Sequence, residues 1–191
     1  MDIAAYFDSV ASFWDDDYSE AKAARIVAAT VSIPRGGACV LDIGCGSGSM
    51  FLDLLEAGAC EIEGVDLSKG MTDVAREKFC FDPRIHIVQE DFLAHEQPGY
   101  DVLLAFNSYQ HFLQPRLFLQ KARELLRPHG RLTVAFPFDR ERMNTLSAIL
   151  PAGLARGLLP ADEEIVFWSE LFHVDCVCDN ESFYMISGEA K

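Results

Sequence analysis

Three glycines at alternate positions, placed directly after an apolar run, constrain this chain more than any other feature. Residues 39–43 are apolar apart from one aspartate, and the glycines that follow are Gly44, Gly46 and Gly48. An apolar run of this kind predicts a strand buried on both faces of a parallel sheet. Glycine has no Cβ, so the next residues predict a sharp turn whose backbone a ligand can approach closely.

Alternating strand and helix patterns follow this turn. The first helix is predicted to begin at Ser47 or Ser49, both of which are good N-caps. Helices separate the further predicted strands, which cover residues 62–65, 85–88, 100–106 and 131–136. Such an alternation predicts an α/β fold with a doubly wound parallel sheet. Two β-like runs, at residues 171–177 and 182–187, predict an antiparallel hairpin that completes the sheet.

Length and composition limit the class of protein. The 191 residues suffice for one well-cored domain and are too few for two ordinary ones, so we expect a single domain over residues 1–191. A formal charge of −14 leaves no basic patch for nucleic acid, and the acidic run at residues 15–17 is a solvated charge run. Without a visible signal peptide, a membrane-spanning run or a disulfide framework, we expect a cytoplasmic protein without membrane partners. The oligomeric state is not defined by the sequence.

Two motifs carry a resemblance to a known family. They are Val-Leu-Asp-Ile-Gly-Cys-Gly-Ser-Gly at residues 40–48 and Gly-Val-Asp-Leu-Ser at residues 64–68. Together with the first two predicted strands and the final hairpin, they resemble the class I S-adenosylmethionine-dependent methyltransferases, in their small single-domain branch. The resemblance covers nearly the whole chain from Tyr6 onwards. It implies a seven-stranded, mostly parallel sheet in the order 3-2-1-4-5-7-6 with the last strand antiparallel, S-adenosyl-L-methionine as cofactor, and a small-molecule methyl acceptor.

The resemblance assigns cofactor contacts to positions in both motifs. The backbone of the first motif would wrap the methionine end of the cofactor at Gly44, Cys45, Gly46 and Gly48. Asp42 would lie near the amino-acid end, and Asp66 would bind both ribose hydroxyls. The position of Asp66 at the end of a buried strand suits this role, because a carboxylate can accept two hydrogen bonds from a vicinal diol. The plainer alternatives are a tight turn for the glycines and a helix cap near Ser68 for Asp66.

Residues after the second, third and fourth strands would complete the cofactor site. The resemblance assigns Asp91 to the adenine amino group and Phe92 to the adenine ring. Leu67 would pack on the adenine face, and Asn107 would lie beside the sulfonium. The alternatives are a solvated acid for Asp91 and ordinary core positions for the two apolar residues.

The acceptor side draws on the end of the fourth strand, where ligands bind in parallel sheets. His111 is a candidate base or substrate orienter, or else a polar residue beneath a lid. Residues 1–31 would form that helical lid and place Tyr6 or Trp14 against the substrate; the alternative is an amphipathic docking helix. A short insertion at residues 137–160 borders the same side. The candidates for substrate contact are Trp14, Tyr109, His111 and Arg140.

Other functions fit parts of the same pattern. A non-catalytic S-adenosylmethionine-binding sensor or partner subunit would use the same pocket. A nicotinamide-dependent enzyme needs a glycine where Ser49 stands, and an aminopropyl transferase would carry an acid at the position of Asn107. The isolated histidines, His86, His95 and His129, form no predicted cluster, and no metal is expected.

Overall fold

The computed structural model describes residues 2–14, 21–33 and 37–191. The strands of this part of the chain are β1 (Ala38–Ile43), β2 (Ala59–Asp66), β3 (Ile85–Gln89), β4 (Tyr100–Phe106), β5 (Leu126–Ala135), β6 (Phe172–Asp179) and β7 (Tyr184–Ala190). They form one seven-stranded sheet in the order β3-β2-β1-β4-β5-β7-β6. Strand β7 runs antiparallel to both of its neighbours, whereas the pairs from β3 to β5 are parallel. The predicted sheet order, with its antiparallel last strand, is confirmed.

Helices cover both faces of this sheet. They are α1 (Ile3–Val10), α2 (Lys22–Ser32), α3 (Phe51–Ala57), α4 (Lys69–Phe79), α5 (Pro115–Leu125), α6 (Arg140–Ala148) and α7 (Ala161–Trp168). Val40 and Val102 face the core that α2 and α3 cover, whereas Leu41 and Leu103 face the core that α5 and α7 cover. This alternation follows from the two-residue period of a strand, and it confirms the doubly wound architecture.

The start of α3 differs from the prediction. The helix begins at Phe51 with Met50 as its N-cap, so neither Ser47 nor Ser49 is the N-cap. Gly48 has a φ of +80°, in the left-handed region, and its carbonyl accepts a 3.2 Å hydrogen bond from the Phe51 backbone N–H. Because a left-handed residue cannot continue a right-handed helix, the glycine turn extends past Gly48 and delays the helix.

Strand β5 also begins earlier than predicted. The predicted strand covers residues 131–136, whereas β5 starts at Leu126 and includes residues 128–130. Tyr100 pairs with Leu126 and Val102 pairs with Arg131, so extra residues of β5 lie between these two pairs. His129 takes a left-handed φ of +62° in this irregular stretch. A bulge of this kind is not visible in hydrophobic periodicity, because it leaves both flanking runs in place.

Part of the N-terminal region lies outside the described residues. This applies to residues 15–20 of the predicted lid, including the acidic run, and to residues 34–36. Helix α1 is described in full, and its N-cap Asp2 accepts a 2.8 Å hydrogen bond from the Ala5 backbone N–H. Within residues 2–14, 21–33 and 37–191, no helix combines the length and apolar character that crossing a bilayer requires.

Candidate functional site

A cavity of about 270 Å³ opens where the central parallel strands end. Its walls come from the turn after β1, the ends of β2 and β4, the loop after β3, and α1. The predicted site residues that line it are Trp14, Gly44, Cys45, Gly46, Asp66, Leu67, Asp91, Phe92, Asn107 and His111. The predicted residues outside the lining are Tyr6, Asp42, Gly48, Tyr109 and Arg140. The carboxyl ends of parallel strands are where such folds bind ligands.

The glycines of the turn serve different purposes. A Cβ on Gly44 would come within 2.6 Å of the Ser108 Cβ, and one on Gly48 would come within 2.7 Å of the Phe79 ring. Gly44 and Gly48 therefore need glycine for packing, and all three glycines have a left-handed backbone. A Cβ on Gly46 would meet nothing closer than the Trp14 Nε1 at 3.9 Å. Gly46 thus leaves bare backbone at the cavity wall.

Asp66 is held in place by backbone groups. Its Oδ2 accepts a 2.8 Å hydrogen bond from the Gly46 N–H, and its Oδ1 accepts one of 2.8 Å from the Ser68 N–H. Burial raises the pKa of Asp66, and the two N–H bonds oppose that rise. The N-cap of α4 is Ser68, whose Oγ accepts from the Met71 N–H at 3.1 Å. Each carboxylate oxygen keeps a further lone pair, so a vicinal diol can still donate to both.

Asp42 lies behind the glycine turn and is 1% exposed. Burial, together with the nearby Asp66 carboxylate, raises the pKa of Asp42 to about 8. Among the described residues its Oδ2 has no hydrogen-bond partner. A carboxyl group in this environment carries its proton at neutral pH.

Asn107 lines the cavity and carries a buried acceptor. It follows β4 with a left-handed φ of +55°, a conformation that asparagine tolerates better than most residues. Its Oδ1 is buried and finds no hydrogen-bond partner in the described part of the chain. Buried polar atoms are normally paired, so an orphaned oxygen at a cavity wall suits a ligand that carries a donor or a positive charge.

His111 has a defined tautomer. Its Nδ1 lies 2.7 Å from the Leu154 carbonyl oxygen, which can only accept, so Nδ1 carries the proton. Nε2 is therefore the basic nitrogen, with the Gln110 side-chain amide 3.2 Å away. Burial lowers the pKa of His111, so the ring is neutral at neutral pH. The ring borders the cavity and meets Phe7 edge-on at 5.1 Å between centroids.

Phe7 was not among the predicted site residues, although it lines the cavity with Ile3 and Ala4 of α1. Its ring contacts Trp14 at 5.5 Å between centroids. Tyr6 packs on the Phe7 ring from outside the lining. The apolar spacing of Ile3 and Phe7, four residues apart, is the sequence signal that identifies the inward face of α1.

Helix α1 is fastened to the body of the protein by Asp8. Its Oδ1 accepts from the Ser68 hydroxyl at 2.6 Å and from the Gly70 N–H at 2.8 Å. The Ser68 hydroxyl and then the Gly70 N–H lower the pKa of Asp8. Ala11 packs against Gly70, where an added Cβ would be 3.1 Å from the Ala11 Cβ. These contacts place α1 over the cavity.

Two predicted substrate residues point to other contacts. Tyr109 is fully buried, and its hydroxyl donates to Glu164 at 2.5 Å. The Arg140 Nε lies 3.3 Å from the Asp179 carboxylate at the end of β6. Both therefore lie outside the cavity lining, engaged by other elements of the fold.

Glu63, Glu90 and His95 come together beside the cavity, with side-chain ligand atoms within 4.8 Å of one another. The prediction that His95 belongs to no cluster is therefore wrong, because Glu63 reaches it from β2. The His95 Nδ1 contacts Glu90, and its Nε2 lies 2.9 Å from the Tyr100 hydroxyl. With both ring nitrogens engaged, the network holds Glu90 at the cavity wall.

The cavity is negatively charged. Its lining includes the carboxylates of Asp66, Glu90 and Asp91, and the described lining residues include no lysine or arginine. Cys45 also lines it, and burial raises the pKa of the Cys45 thiol, so the thiol stays protonated. The arrangement suits a ligand with a diol and a positive charge, and it offers no nucleophilic thiolate.

The fold and the match to a family model define the class of protein. Residues 41–132 match the model of a methyltransferase domain. The seven-stranded sheet with one antiparallel strand, the glycine turn after β1 and the carboxylate at the end of β2 agree with that match. The chain therefore carries a methyltransferase domain, and its sheet has the topology that the resemblance to the class I S-adenosylmethionine-dependent methyltransferases implied.

Individual relatives are similar over part of their length. A ubiquinone biosynthesis O-methyltransferase from Xanthomonas campestris pv. campestris (strain B100) is 34% identical over 140 residues, which are 70% of this chain and 56% of the relative. A demethylmenaquinone methyltransferase from Clavibacter sepedonicus is 25% identical over 139 residues, 69% of this chain and 56% of the relative. The chain thus spans a little over half the length of these curated relatives.

Solved structures share the fold. The N-methyltransferase NodS from Bradyrhizobium japonicum, in complex with S-adenosyl-L-homocysteine, superposes with a TM-score of 0.78 at 14% identity, covering 100% of this chain and 99% of that one. A methyltransferase in complex with the Haloferax volcanii activator Trm112 gives a TM-score of 0.79 at 18% identity, covering 96% and 97% of the two chains. At sequence identities this low, the similarity shows that the fold is shared and nothing more.

Proposed function

We propose that this chain transfers a methyl group from S-adenosylmethionine to a small-molecule acceptor by in-line displacement. The observation that carries the proposal is the Asp66 carboxylate, which two backbone N–H groups hold at the cavity wall. Such a carboxylate is suited to accept from a ribose diol. Relatives named for ubiquinone biosynthesis and for demethylmenaquinone support an acceptor of low molecular weight.

The residues present fit the cofactor part by part. Asp66 would hold the ribose hydroxyls, and Asp91 and Phe92 would hold the adenine. The bare backbone at Gly46 would receive the methionine end, and the orphaned Asn107 Oδ1 would complement positive charge. When bound, the cofactor supplies an electrophilic methyl carbon on a sulfonium.

The chain itself would orient the acceptor, exclude water and accept one proton. Phe7 and Trp14 cover the cavity from α1 and the turn that follows it. Holding reactants in line in this way can account for roughly 7–11 kcal/mol of a barrier. His111 would take the proton of an acceptor hydroxyl or amine at Nε2, because Nδ1 already donates to Leu154.

The lining also limits the chemistry of the acceptor. No lysine or arginine belongs to the described lining, and Arg140 pairs with Asp179 instead. A carboxylated acceptor would therefore meet no compensating charge next to the acids already present. We infer that the acceptor is uncharged and largely apolar, with one hydroxyl or amine to be methylated.

A cofactor-binding experiment tests the site. We expect S-adenosylhomocysteine to bind with a dissociation constant in the micromolar range, and Asp66→Ala to weaken it on the order of 100-fold, because two hydrogen bonds to a charged group are lost. Isothermal titration calorimetry measures both constants. The matched control is Asp73→Ala, an exposed acid on the neighbouring α4, which should bind like the unmodified protein. Equal affinity in the Asp66 and Asp73 variants would contradict the ribose contact.

A transfer experiment separates an enzyme from a non-catalytic sensor. Incubation with methyl-labelled S-adenosylmethionine and a panel of apolar phenols and amines should label a small molecule. Binding of the cofactor without labelling of any acceptor, in the panel or in a cell lysate, would favour the sensor. Labelling confined to large polymers would overturn the acceptor class.

A further inference from the structure

The segment between α6 and α7 returns to the candidate site and bonds to the turn that carries His111. The Leu154 carbonyl accepts from the His111 Nδ1–H at 2.7 Å. Two residues later, the Arg156 N–H donates to the Gln110 carbonyl at 2.8 Å. This pair of hydrogen bonds fixes the segment against the His111 turn at two adjacent points.

The same segment is anchored inside the protein by a buried ion pair. The Arg156 guanidinium donates to both carboxylate oxygens of Glu164 on α7, at 3.0 and 3.3 Å. The Glu164 side chain is 1% exposed and that of Arg156 is 15% exposed. A forked contact of this kind restricts both side chains to one geometry.

Glu164 also reaches the His111 turn directly. The Tyr109 hydroxyl donates to the Glu164 Oε1 at 2.5 Å, and the Arg156 guanidinium lies 4.5 Å from the centre of the Tyr109 ring. One carboxylate therefore holds a residue two positions before His111 and a residue two positions after Leu154. Glu164 therefore bonds both to the turn that carries His111 and to the segment that carries Leu154.

We propose that Glu164 and Arg156 are positioning residues for His111. They hold the Leu154 carbonyl against Nδ1, so that the proton stays on Nδ1 and Nε2, which the Gln110 side-chain amide contacts at 3.2 Å, stays the basic nitrogen. The catalytic meaning rests on the proposed function, whereas the position of the proton on His111 does not. A buried ion pair stabilises a fold less than apolar packing of similar size often does, but it specifies one arrangement strongly.

Nitrogen NMR of the histidine ring tests the proposal without any assay of activity. Long-range proton–nitrogen spectra distinguish a ring protonated at Nδ1 from one protonated at Nε2. For the unmodified protein we expect the Nδ1–H form of His111. For Glu164→Gln we expect a mixture of the two forms, because the anchor of Leu154 is weakened. The matched control is Glu170→Gln, which removes the partner of Arg116 in an exposed ion pair. It should leave the His111 spectrum unchanged.

Kinetics and binding complete the test. We expect Glu164→Gln to lower kcat on the order of 10- to 100-fold, since displacement of a reacting group by about 1 Å has effects of that size. Affinity for S-adenosylhomocysteine should change less than about twofold, because Glu164 lies outside the cavity lining. Arg156→Lys keeps the positive charge but loses the two-point contact with Glu164, so its kcat should lie between those of the unmodified protein and Glu164→Gln. It also serves as the test variant where Glu164→Gln does not fold.

Two results would overturn the proposal. One is an Nε2–H form of His111 in the unmodified protein, and the other is an unchanged His111 spectrum in both folded variants. If the unmodified protein transfers no methyl group while Glu164 still controls the His111 proton, the proposed function fails and the positioning role stands.

Discussion

Asp42 is a carboxyl group inside a buried strand, and its raised pKa makes the stability of the folded protein depend on pH. The folded state keeps the Asp42 proton up to about pH 8, whereas an unfolded chain releases it near the ordinary pKa of about 4. Between these two values the folded state binds more protons than the unfolded state. The contribution of Asp42 to stability is therefore fully present below about pH 4 and is lost as the pH rises towards 8.

Substitution of Asp42 should remove this dependence. We expect the free energy of unfolding of Asp42→Asn, relative to the unmodified protein, to rise with pH between 4 and 8, by at most about 1.4 kcal/mol per pH unit. Urea denaturation at several pH values measures the difference. Asp175→Asn is the control, because the Arg131 guanidinium lowers the pKa of Asp175 and this group is charged in both the folded and the unfolded state above about pH 5, so its difference should stay constant from there to pH 8. A pH-independent difference for Asp42→Asn would mean that the buried group is ionised.

Among elements, α1 depends on one side chain for its place over the cavity. Asp8 accepts from Ser68 and Gly70 at the start of α4, so a single substitution should loosen the whole helix. In Asp8→Ala we expect S-adenosylhomocysteine to dissociate several-fold faster, because the two hydrogen bonds that close α1 are absent. Stopped-flow fluorescence can follow the release, since Trp14 borders the cavity. Asp73→Ala is the control, and equal release rates in the two variants would show that α1 does not retain the ligand.

Elements with a regular hydrophobic period could be predicted from the sequence, and irregular backbone could not. The strands follow from apolar runs whose pattern survives in the fold, and their order was predicted from the resemblance to the methyltransferases. The late start of α3 depends on the left-handed φ of Gly48, and the bulge in β5 depends on the left-handed φ of His129. The sign of φ at such positions is set by packing around the turn, so the residue types alone do not reveal it.

Contacts between segments that are distant along the chain are the second kind of feature that the sequence did not predict. The resemblance to the methyltransferases assigned Asp66, Asp91 and Asn107 to one site, and each lies at or just after the end of a strand of the same parallel sheet. The partners of Tyr109 and His111 come from residues 154–164, whose path over the sheet no local pattern encodes. A larger share of the residues predicted for the cofactor than of those predicted for the acceptor therefore lines the cavity.

At the scale of the whole molecule, charge should distinguish the cofactor from its product. The chain carries a formal charge of −14, and acids line the cavity. S-adenosylmethionine has one more positive charge than S-adenosylhomocysteine, so its affinity should fall several-fold between low salt and about 0.3 M salt as charges are screened. The affinity for S-adenosylhomocysteine should change much less. Titrations of both compounds at several ionic strengths measure the slopes, and parallel slopes would contradict this electrostatic preference.

The position of β7 in the sheet has a consequence for how the protein is made. β7 pairs with β5 on one side and β6 on the other, although it follows both in the chain. On the ribosome, β6 therefore emerges before the strand that joins it to the sheet. Tyr184 and Ile186 complete the core only at that late stage. Until then the β5 edge stays open to other extended chains, and a nascent polypeptide in that condition is a natural client for chaperones.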